Sequence, residues 1–245
     1  MKNRSSLSVY GLLLACLSIS WLSPSKTVKP SSADSSITKS IENNTVESKA
    51  SQLYTALGLE EKGLSKDAFE YAYKGYNKLI DKHIIKRPEL LTICDFSQSS
   101  NNKRLYIVNL NSNELVVNTY VAHGRNSGGE FATKFSNKMS SLQSSLGFYI
   151  TQNTYFGEHG LSLKVSGLEA GYNDKAYSRA IVVHGAGYIG GSWLSHSSYM
   201  GRSYGCPAIP ENEKNLIINT IKNGTCLFIY HPSKNYLKGS KLLNG

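Results

Sequence analysis

Cysteine and proline are scarce in this chain, and the few cysteines lack the spacing of a metal site. Its 245 residues include four cysteines, six histidines and six prolines. No two of the cysteines stand at zinc-finger spacing, and no two histidines form the short-spaced pair of a metal-binding helix. The sequence therefore predicts no metal site and no cofactor, and any chemistry must come from the protein's own side chains.

Acidic residues are also few relative to basic ones. Twenty-seven Lys and Arg residues face 17 Asp and Glu residues, which gives a formal net charge of +10. The basic residues form no dense cluster, and no nucleic-acid-binding motif is present, so a nucleic-acid partner is not expected. A positive excess spread along the chain favours general attraction to anionic polymers or surfaces.

A long hydrophobic run is missing as well, even at the N-terminus. Lys2 and Arg4 precede an apolar stretch of about 14 residues, which is shorter than the ~20 residues of a membrane-spanning helix. We therefore interpret residues 1–22 as a signal peptide or membrane anchor, and expect export to the cell envelope, periplasm or outer surface. Cys16 follows Leu13-Leu14-Ala15, so lipidation at Cys16 is a third alternative.

The next 64 or so residues divide into a polar segment and a helical one. Residues 23–50 are rich in Ser, Thr, Asn and Lys and predict a flexible linker. Residues 51–86 predict a helical segment packed on the following domain, because Phe69, Tyr73 and Tyr76 recur at helical spacing. Ser65 is the expected N-cap of the second helix in this segment.

Residues 87–245 predict one mostly β domain that is large enough to be a catalytic domain. A turn cluster at Asn111-Ser112-Asn113 separates two strands and predicts a hairpin. One amphipathic helix is expected over Glu211–Asn223, with Leu216, Ile217 and Ile221 facing inward. The predicted strands are Arg104–Leu110, Glu114–Ala122, Phe148–Thr151, Leu161–Val165, Ala180–His184 and Thr225–Tyr230.

Two of the remaining cysteines lie in strand-like apolar runs. Cys94 follows directly after Leu90-Leu91-Thr92-Ile93, and Cys226 begins an apolar run that continues to Tyr230. They could form a disulfide in an oxidising compartment. Their apolar surroundings favour the alternative of two buried free thiols.

Cys206 and His184 are the strongest candidates for chemistry. His184 ends the apolar run Ile181-Val182-Val183, and Cys206 lies in a turn between Gly205 and Pro207. A thiol becomes a strong nucleophile when a histidine takes its proton. Gly205 and Pro207 are typical of an exposed turn and do not suit the middle of a buried strand. The pair therefore indicates a cysteine nucleophile with a histidine base.

These residues resemble the signature of the murein L,D-transpeptidase catalytic-domain-like family (YkuD-like). His184-Gly185 is followed by a loop and then by Ser203-Tyr204-Gly205-Cys206. The similarity runs from about residue 90 to about residue 230 and includes several upstream segments. These are Ala122-His123-Gly124-Arg125-Asn126-Ser127-Gly128, Phe135-Ser136-Asn137, Ser144-Ser145-Leu146-Gly147-Phe148-Tyr149, Gly167-Leu168-Glu169 and Arg179-Ala180-Ile181-Val182-Val183-His184.

The resemblance implies a β-sandwich-like catalytic domain with a short N-terminal helical segment and one helix after the nucleophile loop. It implies Cys206 as the nucleophile, His184 as the base and the carbonyl of Gly185 as the group that orients the imidazole. The backbone N–H groups of Tyr204, Gly205 and Cys206 would form the oxyanion hole. The residues expected to bind substrate are Arg202, Ser203, His123, Asn126 and Asn137.

This sequence departs from the commoner members at three positions. Tyr204 stands where they carry His, and Pro207-Ala208 stands where they carry Arg or Asn two residues after the cysteine. These departures concern the side of the acyl acceptor, so transfer and hydrolysis both remain open. His123-Gly124 is a second His-Gly pair and is the competing candidate for the base.

The implied activity is a cysteine-dependent L,D-transpeptidase that acts on peptidoglycan stem peptides through an acyl-enzyme thioester. The alternatives are an L,D-carboxypeptidase or endopeptidase that hydrolyses the stems, and a catalytically silent wall-binding module. A papain-like hydrolase is disfavoured because papain-like enzymes place Cys before His, whereas here His184 precedes Cys206. We expect a monomer.

Overall fold

The computed structural model describes residues 45–245. The predicted signal segment, Cys16 and residues 23–44 of the predicted linker lie outside the described residues. No helix within residues 45–245 is long and apolar enough to cross a membrane.

Two helices precede the strands. The first, α1, is helical over 45–56, so the last six residues of the predicted linker are helical. Ala50 explains this difference, because it is fully buried against the hydrophobic core and gives the segment a packed face. The second helix, α2, spans Lys66–Asp81 and begins at the predicted N-cap, where the Ser65 hydroxyl accepts a hydrogen bond from the Ala68 N–H at 3.1 Å.

Eight strands and several short helices follow. The strands are β1 (Leu90–Asp95), β2 (Leu105–Asn109), β3 (Glu114–Thr119), β4 (Gly147–Gly157), β5 (Gly160–Gly167), β6 (Val182–Ala186), β7 (Ala208–Pro210) and β8 (Cys226–Tyr230). The helices are α3 (Gly191–Leu194), α4 (Lys214–Ile221), α5 (Lys234–Gly239) and α6 (Lys241–Asn244), and a 3-10 turn spans Glu211–Glu213. The predicted mostly β class is confirmed.

The eight strands form one sheet in the order β3-β2-β1-β8-β4-β5-β6-β7. β1 pairs with β8 and β6 with β7 in parallel, and the other pairs are antiparallel. The two edges of the sheet meet, because Ala122, three residues beyond β3, pairs with Ala208 of β7. The Ala122 N–H donates to the Ala208 carbonyl at 2.8 Å. We call this contact between the two edges the seam.

The main core lies between α2 and the centre of the sheet. Phe148 of β4 stacks on Phe228 of β8 with ring centroids 4.2 Å apart. Phe69, Tyr73 and Tyr76 of α2 are buried, as their helical spacing predicts. This packing fixes the middle of the sheet and leaves β6 and β7 at one side, where the candidate chemistry lies.

The helix after β7 turns a partly different set of residues toward the core than the sequence predicts. It is preceded by the 3-10 turn, and Ile217, Ile218 and Ile221 face the core. Leu216 was expected to face inward but is 63% exposed. The 3-10 turn has three residues per turn, so it shifts the phase of α4 relative to a continuous α-helix that starts at Glu211.

Cys94 and Cys226 are both free thiols buried in the core. They lie on neighbouring parallel strands but are out of register, since Cys226 is opposite Leu91 and Cys94 is opposite Ile229. Burial raises the pKa of the Cys94 thiol to about 12 and raises that of Cys226 as well. Neither thiol is therefore a reactive nucleophile.

A buried carboxyl group connects the C-terminal helices to the segment that leads into β6. Glu169 accepts hydrogen bonds from the Phe148 N–H at 2.9 Å and the Tyr236 hydroxyl at 2.8 Å, and from the Ser240 hydroxyl. Asn173 closes the same turn, because its side chain contacts the Glu169 N–H and the carbonyls of Leu146 and Phe148. Burial raises the pKa of Glu169, and these donors act against that shift.

Removing one donor from Glu169 should measurably destabilise the fold. We expect Tyr236→Phe to lower the free energy of unfolding by about 1–3 kcal/mol, the cost of leaving a buried polar group with a lost partner. Tyr172→Phe is the matched control. Tyr172 packs edge-on against Tyr236, but its hydroxyl bonds only the exposed carbonyl of Asn235. Urea unfolding followed by circular dichroism measures both, and equal losses in the two variants would contradict the role of Glu169.

Candidate active site

One open cleft of about 1060 Å³ contains both His184 and Cys206 in its lining. Its walls come from the β4–β5 hairpin, the segment before β6, the segment around α3 and the loop before β7. Five aromatic side chains and three arginines contribute to it. These are Tyr155, Tyr188, Trp193, Tyr199, Tyr204, Arg125, Arg179 and Arg202.

His184 is held in the middle of β6 between two strands. It lies opposite Ser162 of β5 and Ala208 of β7, and its side chain is only 3% exposed. Its Nδ1 lies 2.9 Å from the Gly185 carbonyl oxygen. Because a carbonyl only accepts hydrogen bonds, Nδ1 carries the proton and the neutral ring keeps an unprotonated Nε2. The ring is therefore in the tautomer that a general base requires.

The loop that carries Cys206 is fixed to the seam by backbone hydrogen bonds. The Ser203 N–H donates to the His123 carbonyl at 3.1 Å, and the Arg125 N–H donates to the Ser203 carbonyl at 2.8 Å. Gly205 has a φ of +123°, which L-residues rarely adopt, so a glycine is required at the turn before the thiol. The Ser203 hydroxyl donates to the Cys206 carbonyl at 2.6 Å and closes the turn.

The Cys206 thiol lies in a half-buried position beside the start of β6. Its Sγ is 3.5 Å from the Val182 N–H and 3.8 Å from the Ala180 carbonyl oxygen. Burial raises the pKa of the Cys206 thiol, whereas the Val182 N–H and the Arg179 guanidinium lower it. Burial is the largest of these influences, so the resting side chain is a thiol.

His184 is also neutral at rest. Burial lowers its pKa, and His159 and Lys214 act in the same direction, whereas the Gly185 carbonyl and Glu211 raise it. A neutral thiol and a neutral imidazole thus face the same cleft. The strand pairing supports their proximity, since the His184 N–H donates to the carbonyl of Pro207, the residue after Cys206.

The three backbone N–H groups expected to bind an oxyanion are not equivalent. The Gly205 N–H donates to the Ser203 hydroxyl at 3.1 Å. Within residues 45–245, the N–H groups of Tyr204 and Cys206 have no carbonyl or hydroxyl partner. Of the three predicted donors, only the Gly205 N–H is thus engaged by an oxygen atom of the described residues.

Three arginines of the cleft differ in what they contact. Arg202 packs over the Tyr199 ring and donates to the Gly128 carbonyl at 2.9 Å, and Arg125 lies over the Tyr204 ring. Arg179 donates hydrogen bonds to the carbonyls of Ser136 and Gln143. It is also the arginine whose charge lowers the pKa of the Cys206 thiol. None of the three forms an ion pair with a described carboxylate. Their positive charge is therefore available to an anionic ligand.

His123, expected to bind substrate, is not among the residues that line the cleft. It is 1% exposed, and its backbone carbonyl accepts a hydrogen bond from the Ser203 N–H in the loop that carries Cys206. Its Nδ1 accepts a hydrogen bond from the buried Arg104 guanidinium at 2.8 Å, which also donates to the Val121 carbonyl. Burial, with a contribution from Arg104, lowers the pKa of His123 to about 3. Its role is to support the loop from behind.

Asn126 is exposed and Asn137 is partly buried, and neither lines the cleft. The Asn126 amide donates to the Ser141 carbonyl at 3.0 Å, and the Asn137 amide donates to Asp174 at 2.7 Å. Both side chains thus brace loops beside the cleft, as asparagines commonly do in turns.

Sequence reasoning missed two side chains of this site. His159 stacks on His184 from the β4–β5 turn, and Arg179 supplies the cation beside Cys206. Arg179 stands five residues before His184, at the start of the segment that ends in this histidine. That position is the one feature of the sequence that could have indicated its place in the site. Nothing in the sequence indicates that the tip of a hairpin returns to β6. No three His, Cys, Asp or Glu side chains in residues 45–245 converge on a metal-binding position.

The chain matches one family profile and is similar to several solved structures. The L,D-transpeptidase catalytic domain profile matches residues 60–230. Similar solved structures include an L,D-transpeptidase from Mycobacterium smegmatis (12% identity, TM-score 0.36, 58% of this chain and 59% of that one). L,D-transpeptidase 3 from Mycobacterium tuberculosis (9%, 0.38, 58% and 61%) and an L,D-transpeptidase from Stackebrandtia nassauensis (12%, 0.36, 76% and 78%) are also similar. No curated protein matches the chain.

The chain thus spans somewhat more than half of the Mycobacterium smegmatis structure. The profile match is broader relative to this chain, since residues 60–230 include α2, all eight strands and both cleft residues His184 and Cys206. The resemblance read from the sequence is confirmed, and the protein belongs to the L,D-transpeptidase catalytic domain family.

Proposed function

We propose that the protein is a peptidoglycan L,D-transpeptidase with Cys206 as nucleophile and His184 as base. The observation that carries this proposal is the shared cleft, in which a half-buried thiol accompanies an imidazole held in the base tautomer by the Gly185 carbonyl. The substrate is a stem peptide with a bond between an L-centre and a D-residue. The family membership supports the reaction class.

In the first half-reaction, His184 Nε2 takes the thiol proton as Cys206 Sγ attacks the scissile carbonyl. The resulting oxyanion is bound by the N–H groups of Tyr204 and Cys206. Loss of one such donor typically costs about 2.7–4 kcal/mol of transition-state stabilisation. The imidazolium then gives its proton to the leaving amine, so the terminal D-residue departs and a thioester remains on Cys206.

In the second half-reaction, His184 takes a proton from an acceptor amine as the amine attacks the thioester carbonyl. Collapse of this adduct breaks the bond to Cys206 Sγ and releases the product with its new peptide bond. His184 then returns the proton to the thiolate. Water in place of the amine gives hydrolysis. The cleft is open to solvent, so the acceptor side admits either nucleophile.

Substrate recognition is assigned to the charges of the cleft. Arg125, Arg179 and Arg202 line it without ion-pair partners, and Glu158 is the one acidic residue of the lining. Arginine binds carboxylates well because its planar fork of donors matches the two oxygens. Stem peptides carry free carboxylates, and the net charge of +10 favours an anionic wall. Residues 1–22 support export to the envelope, where this substrate lies.

The nucleophile assignment predicts a variant that folds and does not turn over substrate. Cys206→Ala should abolish release of the terminal D-residue from purified muropeptides, measured by mass spectrometry, because no other described thiol reaches the cleft. Its thermal midpoint should change little, since Cys206 is only half buried. Cys94→Ala is the control and should keep turnover, and activity in folded Cys206→Ala would refute the assignment.

The base assignment predicts different effects for the two His-Gly pairs. His184→Ala should lower kcat/KM by at least about 100-fold, the lower range for general acid–base catalysis. His123→Ala should act mainly on stability, with a loss of about 1–3 kcal/mol, because the buried Arg104 guanidinium loses a partner. Kinetics and thermal melting of both variants decide this, and a larger kinetic loss in a folded His123→Ala protein would reverse the assignment.

The neutral resting pair predicts a broad pH profile for kcat/KM. Activity requires unprotonated His184, whose pKa lies below its usual 6.5, so the acid limb should fall below pH 6.5. Activity also requires the thiol proton for transfer to His184, and the pKa of Cys206 lies above its usual 9.0, so the alkaline limb should lie above pH 9.0. An alkaline limb below pH 9.0 would indicate a preformed thiolate instead.

A further inference from the structure

The tip of the β4–β5 hairpin brings a second histidine against the base. His159 lies in the exposed two-residue turn between Gly157 and Gly160, which pair with each other at the end of the hairpin. Its ring stacks on the His184 ring with centroids 4.2 Å apart and planes inclined by 20°. This is a close, nearly parallel contact, and it covers a face of an imidazole that otherwise borders the open cleft.

A lysine from α4 holds the hairpin tip in this position. Lys214 Nζ donates to the His159 carbonyl at 3.3 Å and also pairs with the carboxylate of Glu211. Glu211 and Lys214 both pack directly against the Cα of Gly185, whose carbonyl holds His184 Nδ1. One ion pair therefore connects the hairpin tip, the start of α4 and the carbonyl that sets the tautomer of the base.

We propose that His159 is a positioning residue for His184, held in place by Lys214. It restricts the imidazole to the rotamer that donates to Gly185, and it shields one face of the ring from water. The described contacts of His159 are with the His184 ring and with Lys214, and none is with the Cys206 thiol. This inference rests on the proposed role of His184 as the base and goes beyond it by assigning a function to the hairpin tip.

The geometry has a defined electrostatic consequence. The charged and titratable groups around His184 are His159 from the hairpin, Glu211 and Lys214 from the segment after β7, and Cys206 across the cleft. Burial is the main reason that the pKa of His184 is lowered, and His159 lowers it further. Removal of the His159 ring exposes His184 to water and removes this neighbour, and both changes raise the pKa of His184 towards its usual value.

The test compares His159→Ala, which removes the ring, with His159→Phe, which keeps a flat ring on His184. We expect His159→Ala to lower kcat about 10-fold with little change in KM, because misplacement of a catalytic group by about 1 Å can cost about 100-fold. The acid limb of its pH profile should move to higher pH. His159→Phe should recover most of kcat. Phe156→Ala is the matched control, since Phe156 lies on the same hairpin, is 84% exposed and is not part of the cleft lining.

An NMR titration of His184 in the same variants gives a readout that does not depend on turnover. The pKa of His184 should be higher in His159→Ala than in the wild type and unchanged in Phe156→Ala. Equal kcat values and equal His184 pKa values in His159→Ala and the wild type would overturn the proposal. Full turnover by His184→Ala would show that the proposed base is wrong. An unshifted His184 pKa in His159→Ala would instead show that His159 does not position this ring, whatever the role of His184.

Discussion

The seam between the two edges of the sheet is the constraint on which the rest of the site depends. The backbone at Ala122 pairs with Ala208, and the backbone at Gly124 pairs with Ser203. These pairs hold both ends of the Cys206 loop, and β7 pairs in parallel with β6 so that His184 lies opposite Ala208. Backbone hydrogen bonds thus fix Cys206 and His184 in one frame. Arg104 stiffens this frame from inside through the Val121 carbonyl and His123.

The same frame explains why the resting pair is neutral. His184 is nearly buried, and Cys206 is half buried beside the Val182 N–H, so both charged forms lose hydration. Arg179 partly offsets this for the thiolate, and the Gly185 carbonyl partly offsets it for the imidazolium. In the proposed reaction, charge therefore develops mainly during attack, when the N–H groups beside Cys206 would stabilise it.

Local patterns in the sequence predicted the mostly β class, the β2–β3 hairpin and the Ser65 cap, because each depends on neighbouring residues. The pair of His184 and Cys206 was indicated by the apolar run that ends in the histidine and by the Gly-Cys-Pro turn, and the family resemblance agreed with it. Long-range features were not predictable in this way. The burial of His123 depends on Arg104, 19 residues away, and the contact of His159 with His184 depends on a hairpin returning across β6. The exposure of Leu216 follows from a 3-10 turn that the apolar spacing does not reveal.

Trapping the acyl-enzyme tests the central claim most directly. The wild-type protein would be mixed with a tetrapeptide muropeptide, quenched in acid within the first turnover and analysed by intact-mass spectrometry and peptide mapping. The account predicts a mass gain equal to the donor without its terminal D-residue, carried as a thioester on the peptide that contains Cys206. Turnover with no covalent adduct, or an adduct on Cys94 or Cys226, would contradict it.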